Sequence, residues 1–334
     1  MKLVLFLNMG GVTKPEHCAL FLKNMFNDPY ILTIKNDLLR AFVAWCITKA
    51  RAKTMQKNYE FLGGKSPLNE LTARLCERLN KDFASANLNE NSAPNGANLS
   101  TNESKNAPQN SQEKITFDFI NTYVPPFADE VLAKYCFTKD DEIVLFPLYP
   151  HHSQTTVLSS LECVKKALSK AQIQSKVREI EVFYTNEQYN ALIIKHILQA
   201  NDDFEKGREK TLIFSAHSLP VSTIQAGDIY QKHIEAHFAL LKERLMPYFK
   251  DIVLGYQSKI GPVKWLAPAT SEILANLDNV ALIYPLSFCI DCSESVFELD
   301  IEYRKIAKND YKVITCPNDS AEFAEFIKAY LNLA

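Results

Sequence analysis

The sequence predicts an α/β protein of two similar doubly wound lobes, each a parallel β-sheet flanked by helices. Three observations predict it. Short runs rich in β-branched and aromatic residues recur along the chain, and most are apolar at consecutive positions, as in strands buried on both faces. Amphipathic stretches of helical period lie between them, and that alternation favours parallel sheets. About four such runs fall in each half of the 334 residues, which suits two lobes better than one sheet of eight.

The first run, Lys2–Leu7, is continuously apolar after its lysine and runs into Asn8-Met9-Gly10-Gly11, where paired glycines mark a tight turn or a close approach. Glu70–Leu79 repeats leucine every four residues and reads as a helix. Ser85–Gln112 carries eight asparagines and almost no large apolar side chains. Burial there is too small to offset ordering entropy, so residues 85–112 are expected to be a disordered insertion. Strands follow at Thr116–Ile120 and Glu142–Phe146, then a helix at Thr156–Ala171 with Val157, Leu161, Val164 and Leu168 on one face. Val177–Phe183 is read as the fourth strand. The lobes are divided as residues 1–178 and 179–334. In the second lobe, helices Glu187–Ala200 and Tyr230–Leu245 alternate with strands Thr211–Phe214, Ile252–Leu254, Ala281–Tyr284 and Lys312–Thr315. A final amphipathic helix, 320–334, is expected to pack back on the first lobe.

Composition excludes several functions. A net charge of −2 with no basic, aromatic-interleaved stripe argues against nucleic acid. Eight scattered cysteines read as reduced thiols rather than a disulfide framework. The N-terminal apolar run is too short for a secretion signal, and no run is long enough to span a membrane, so a cytoplasmic address is expected. Neither G-x-G-x-x-G nor G-x-x-x-x-G-K-[ST] occurs, so the glycines do not mark a nucleotide. Cys289-x-x-Cys292 has no second pair at metal-ligand spacing and is followed by Glu294, the wrong charge for activating a thiol.

In doubly wound sheets ligands bind beyond the carboxyl ends of the strands, and the polar residues collect there. Two features stand out. Thr211–Phe214 runs into Ser215-Ala216-His217-Ser218, and a histidine facing a cleft can take protons near neutral pH or hold a borderline metal. Glu294, Glu298 and Glu302 recur every four residues, stacking three carboxylates on one helix face with Asp291 near the first. That row reads either as a solvated acidic face with Asp291 and Glu294 as a capping box, or as a path for a hard cation or protons. The residues alone therefore imply metal or proton chemistry in a cleft between lobes.

Taken together, LFLNMGG, YEFLGGKSPLNELT, LFPLYPHHSQTT, FSAHSLP, GDIYQ, YQSKIGPVKWLAP and YPLSFCIDCSESVFELDIEYR resemble the ferrochelatase family in content and order. That family inserts ferrous iron into a porphyrin at the end of haem synthesis. The resemblance implies two Rossmann-like, chelatase-like lobes around a porphyrin cleft. It puts the catalytic, metal-contacting histidine on His217 and the catalytic glutamate on Glu294, with Glu298 and Glu302 as a proton or metal relay. Arg51 and Ser66 match propionate-binding positions, Tyr59, Tyr149 and Trp265 match aromatics at the macrocycle, and Met9 lies against it. Methionine at position 9 favours protoporphyrin IX over coproporphyrin.

Three departures from the family pattern stand out. Cys292 stands where a histidine is usual, His151-His152 replace Gln-Tyr, and Thr122 replaces an arginine. The chain ends in an amphipathic helix with no cysteine-rich tail, so no iron–sulfur cluster is expected. Fe²⁺ and protoporphyrin are the expected substrates, no cofactor is required, and a monomer is expected; the residues single out no apolar lip for a membrane and leave peripheral membrane contact open. A cobalt or sirohaem-type chelatase and a non-enzymatic tetrapyrrole carrier are the rival readings.

Overall fold

The computed structural model describes residues 1–90, 114–259 and 261–333. Among them, the strands form two four-stranded parallel sheets. In chain order the strands are β1 (Lys2–Asn8), β2 (Ile115–Asn121), β3 (Glu142–Pro147), β4 (Lys176–Glu179), β5 (Lys210–His217), β6 (Asp251–Gln257), β7 (Val280–Pro285) and β8 (Tyr311–Val313). The α-helices are α1 (His17–Asn27), α2 (Asp37–Glu60), α3 (Leu68–Glu90), α4 (Ala128–Leu132), α5 (Ser159–Lys170), α6 (Glu187–Asp203), α7 (Val221–Gln225), α8 (Tyr230–Leu245), α9 (Thr270–Asn276) and α10 (Ala321–Tyr330).

The two sheets repeat one topology. Their orders are β2-β1-β3-β4 and β6-β5-β7-β8, so each lobe's first strand is central and its second and third strands flank it. That is why β1, β3, β5 and β7 read as unbroken apolar runs: β1 buries Leu3 to Leu7 and β7 buries Val280 to Pro285 on both faces. One apolar cluster joins the sheets, taking Phe6 and Phe146 from the first and Phe214 and Tyr284 from the second. Each such buried side chain contributes about 1.5–3 kcal/mol relative to exposure, so the lobes share a core. Helix α10 adds Phe323, Phe326 and Ile327 to that cluster, and Lys328 reaches Asp82 of α3 at 3.0 Å.

Four local expectations are corrected. Strand β4 stops at Glu179, because the chain leaves the sheet once Ile180 N–H has bonded Leu145 O at 2.9 Å. Residues 85–90 of the expected insertion continue helix α3, where Ala84, Ala86, Leu88 and Glu90 are good helix formers; its remainder, 91–112, lies outside the described residues. Residues 156–158, expected to open an α-helix, instead belong to a π-helix, Gln154–Leu158, that passes into α5. Asp291 and Glu294 make no capping box: Asp291 instead accepts from Ser295 Oγ at 2.8 Å and from Asn318 Nδ2 at 2.7 Å.

Candidate active site

The carboxyl ends of the two sheets meet. Cys289, on the loop after β7, donates its thiol to Leu148 O, just after β3, at 3.1 Å. Phe61, after α2, packs its ring 5.9 Å from Phe297.

His217 is the last residue of β5, opposite Gln257 on β6. It is partly buried, and its ring meets Phe288 edge-on at 6.3 Å. The Gln257 amide is fixed from both ends. Its Oε1 accepts from Ser215 Oγ at 2.7 Å, so its Nε2 must donate, and it reaches Glu294 O at 3.1 Å and Glu298 Oε2 at 3.3 Å. One buried amide thus ties the histidine's cross-strand position to the carboxylate row.

That row lies on a π-helix, Glu294–Glu302, whose hydrogen bonds reach one residue further than those of an α-helix. Glu294 accepts from Ser293 Oγ at 2.8 Å. Glu298 receives Ser258 N–H at 2.7 Å, the Ser258 hydroxyl and the Tyr303 hydroxyl at 2.7 Å, besides Gln257. Ser258 sits at φ +67°, a left-handed conformation unusual for serine, and both of its hydrogen-bond donors are spent on Glu298. Glu302 is exposed; partial burial, and then the neighbouring Glu298 charge, hold its carboxyl above the usual range.

The first lobe supplies the facing wall. Tyr59, near the end of α2, is buried, and its hydroxyl is pushed up by burial and then by Glu294 within electrostatic reach. The Tyr149 hydroxyl is buried beside the Met9 backbone, with no partner in hydrogen-bonding geometry, and Cys292 and Glu294 lie nearby. A buried phenol left without a partner is a place where a ligand atom can bond. Met9 follows β1, and its carbonyl accepts Tyr123 N–H at 3.0 Å. Ser66 is buried against Gly11, where a β-carbon would meet Ser66 Cβ at 2.7 Å. Arg51 lies two turns before Tyr59 on α2; its guanidinium is exposed and makes no bond to another described residue. Trp265 pairs with Pro220 in an isolated antiparallel bridge, three residues past His217, and its indole N–H is buried without a partner.

Met9, Tyr59, Tyr149 and Glu294 are therefore brought together, with His217 joined to Glu294 through Gln257. Glu298 adjoins them, while Arg51 and Glu302 stand at the rim. Cys292 is buried, and burial first, then Glu294, push its thiol well up from its ordinary value. Among the described residues, no group of three or more His, Cys, Asp or Glu side chains could hold a metal ion. Thr122, in place of the family's arginine, turns its hydroxyl to Asn8 O at 3.2 Å. The sequence reading missed Gln257, Ser258 and Tyr303. Gln257 and Ser258 stand in the YQSKIGPVKWLAP run, but only the fold brings them to Glu298.

The ferrochelatase family model matches residues 2–98 and 88–333. A ferrochelatase of Campylobacter jejuni strain 81-176 is 56% identical, covering 99% of this chain and 97% of that protein. A ferrochelatase of Campylobacter concisus is 49% identical, covering 98% and 96%. A solved structure described as CbiX, the terminal enzyme of sirohaem biosynthesis in denitrifying bacteria, aligns over 100% of this chain and 98% of its own, with a TM-score of 0.52 and 14% identity. At that identity the likeness concerns the fold.

Proposed function

The chain belongs to the ferrochelatase family, a lyase that inserts Fe²⁺ into protoporphyrin IX to make protohaem, and we propose that the cleft just described is where it does so. The observation that carries this is the meeting of the two lobes at the carboxylate row: Phe61 of the first packs against Phe297 beside Glu294 and Glu298 of the second, and the Glu294 charge is within electrostatic reach of the buried Tyr59 hydroxyl.

Metal insertion asks three things of a protein: a macrocycle held out of plane, removal of two pyrrole protons, and a dry route for the ion. Met9, Tyr59, Tyr149 and Trp265 form walls against which an apolar ring is held, and binding energy from its propionates sustains the distortion. Arg51 matches a propionate with its planar fork, and the Ser66 hydroxyl takes the second. His217 accepts one pyrrole proton at its free ring nitrogen, and the second leaves along the carboxylate row. Glu294 meets the incoming Fe²⁺ as a hard oxygen ligand, and Glu298 and Glu302 pass the ion or protons along the π-helix. Fe²⁺ enters as substrate, and no resident cofactor is needed.

Among the described residues, no helix is long and apolar enough to cross a membrane. We place the protein in the cytoplasm as a monomer that touches a membrane through α2. There Leu38, Phe42 and Trp45 form one exposed stripe at helical spacing, 84%, 61% and 56% exposed, beside Leu39. The same helix carries Arg51 and Tyr59, so an apolar porphyrin would pass from bilayer to cleft along it.

The test is His217→Ala and Glu294→Gln, assayed for Zn²⁺ and Fe²⁺ insertion into protoporphyrin. Both are expected to lose insertion by a hundredfold or more while quenching of porphyrin fluorescence still reports binding. Wild-type turnover by either variant overturns its assignment.

A further inference from the structure

In a parallel sheet, alternate residues turn their backbone groups to opposite neighbours. On β5, Ser215 O faces β7 and accepts Leu286 N–H at 2.8 Å, while Ser218 N–H faces β6 and donates to Gln257 O at 2.8 Å. His217, two residues after Ser215, therefore turns its own N–H and C=O toward β7. Strand β7 ends at Pro285 and offers no backbone partner there. A buried peptide group left unpaired is costly, so side chains must take the place of the ladder.

They are Ser287 and Tyr230. His217 N–H donates to Ser287 Oγ at 2.9 Å, the Tyr230 hydroxyl donates to His217 O at 2.9 Å, and the two hydroxyl oxygens are 2.6 Å apart. Each hydroxyl has one proton. Tyr230 spends its own on His217 O, so the bond between the hydroxyls is donated by Ser287. Three hydrogen bonds thus close a ring on the backbone of one residue, all running in the same direction. Both hydroxyls are buried, the Tyr230 backbone N–H is anchored on Asp228 Oδ1 at 2.8 Å, and His151 packs edge-on to its ring at 6.2 Å.

We propose that Tyr230 and Ser287 are positioning residues that fix φ and ψ of His217, and through them the direction in which its imidazole enters the cleft. The role rests on the reading of His217 as the catalytic histidine. Displacement of a reacting group by about 1 Å costs on the order of a hundredfold in rate, so partial freedom at residue 217 is expected to show in kcat.

The experiment measures Zn²⁺ insertion into protoporphyrin by Tyr230→Phe, Ser287→Ala, the double variant and His217→Ala, with thermal unfolding of each. Opening the ring at either hydroxyl is expected to lower kcat about tenfold, leave porphyrin KM within twofold and leave the folded fraction intact. Because one ring is opened in all three cases, the double variant is expected to be no slower than the slower single. Undiminished kcat in both single variants, multiplicative losses in the double, a rise in KM alone, or losses that track unfolding would each overturn the proposal. An active His217→Ala would instead remove the catalytic reading on which it rests.

Discussion

Lowering the pH from 7 to 5 should loosen the join between the lobes at one place, the buried pair His151–His237. His151 follows β3 in the first lobe and His237 lies on α8 in the second, with His151 Nε2 and His237 Nδ1 2.9 Å apart. The protons can be assigned. Asn190 Nδ2 donates to Tyr184 O at 3.0 Å, so Asn190 Oδ1 is the atom 2.7 Å from His237 Nε2, and that nitrogen carries a proton. Neutral His237 then accepts from His151 Nε2–H, and His151 Nδ1 is left buried without a partner. Protonating His237 would set two N–H groups against each other. Tyr184, Tyr189 and Tyr230 pack around the pair with His233, and burial holds His237 down to about 3 and His151 well below its ordinary value. The folded pKa lies below the unfolded one, so between these values the unfolded chain binds the extra proton and stability falls as pH falls. With an unfolded value of about 6.5, His237 alone removes about 2 kcal/mol between pH 7 and pH 5. Urea unfolding at pH 7, 6 and 5 measures it. His237→Gln should be less stable than wild type at pH 7, yet lose about 2 kcal/mol less on going to pH 5. Parallel pH curves for the two proteins would refute the reasoning.

Three further outcomes are expected. Glu298→Gln loses the charge on which four donors converge, and should slow insertion at least tenfold while porphyrin binding, read by fluorescence quenching, persists; lost binding would make Glu298 a structural residue. Gly11→Ala drives a β-carbon to 2.8 Å from Ser66 Oγ, and should cost about 1–3 kcal/mol in urea unfolding and raise porphyrin KM. Phe42→Ser with Trp45→Ser should weaken co-flotation with phospholipid vesicles severalfold and leave kcat on detergent-dispersed porphyrin unchanged; undiminished flotation would remove α2 as the contact.

The fold was legible where burial writes itself into the sequence. Central strands β1, β3, β5 and β7 are covered on both faces, so Leu3–Leu7 and Ala281–Tyr284 read as strands without a partner in view. Helix α8 was bounded at Tyr230 and Leu245, the limits the structure shows, because Ile234, Leu241 and Leu245 are fully buried at helical spacing. Helix α2 escaped for the opposite reason: Leu38, Phe42 and Trp45 face outward, so its pattern points to no core. His217 and the glutamate row were visible as polar interruptions at strand ends. The residues that hold them were not. Gln257, Ser258, Tyr230 and Ser287 act through hydrogen bonds that cross between strands and loops, and no spacing along the chain encodes those.

The account's central claim is tested most directly by anaerobic addition of Fe²⁺ to the purified protein with protoporphyrin IX, with coproporphyrin and Co²⁺ as alternatives, following the Soret band. Multiple turnovers to protohaem, faster with protoporphyrin and Fe²⁺ than with the alternatives, are expected. A stoichiometric bound porphyrin whose spectrum Fe²⁺ leaves unchanged, or turnover with Co²⁺ alone, would contradict it.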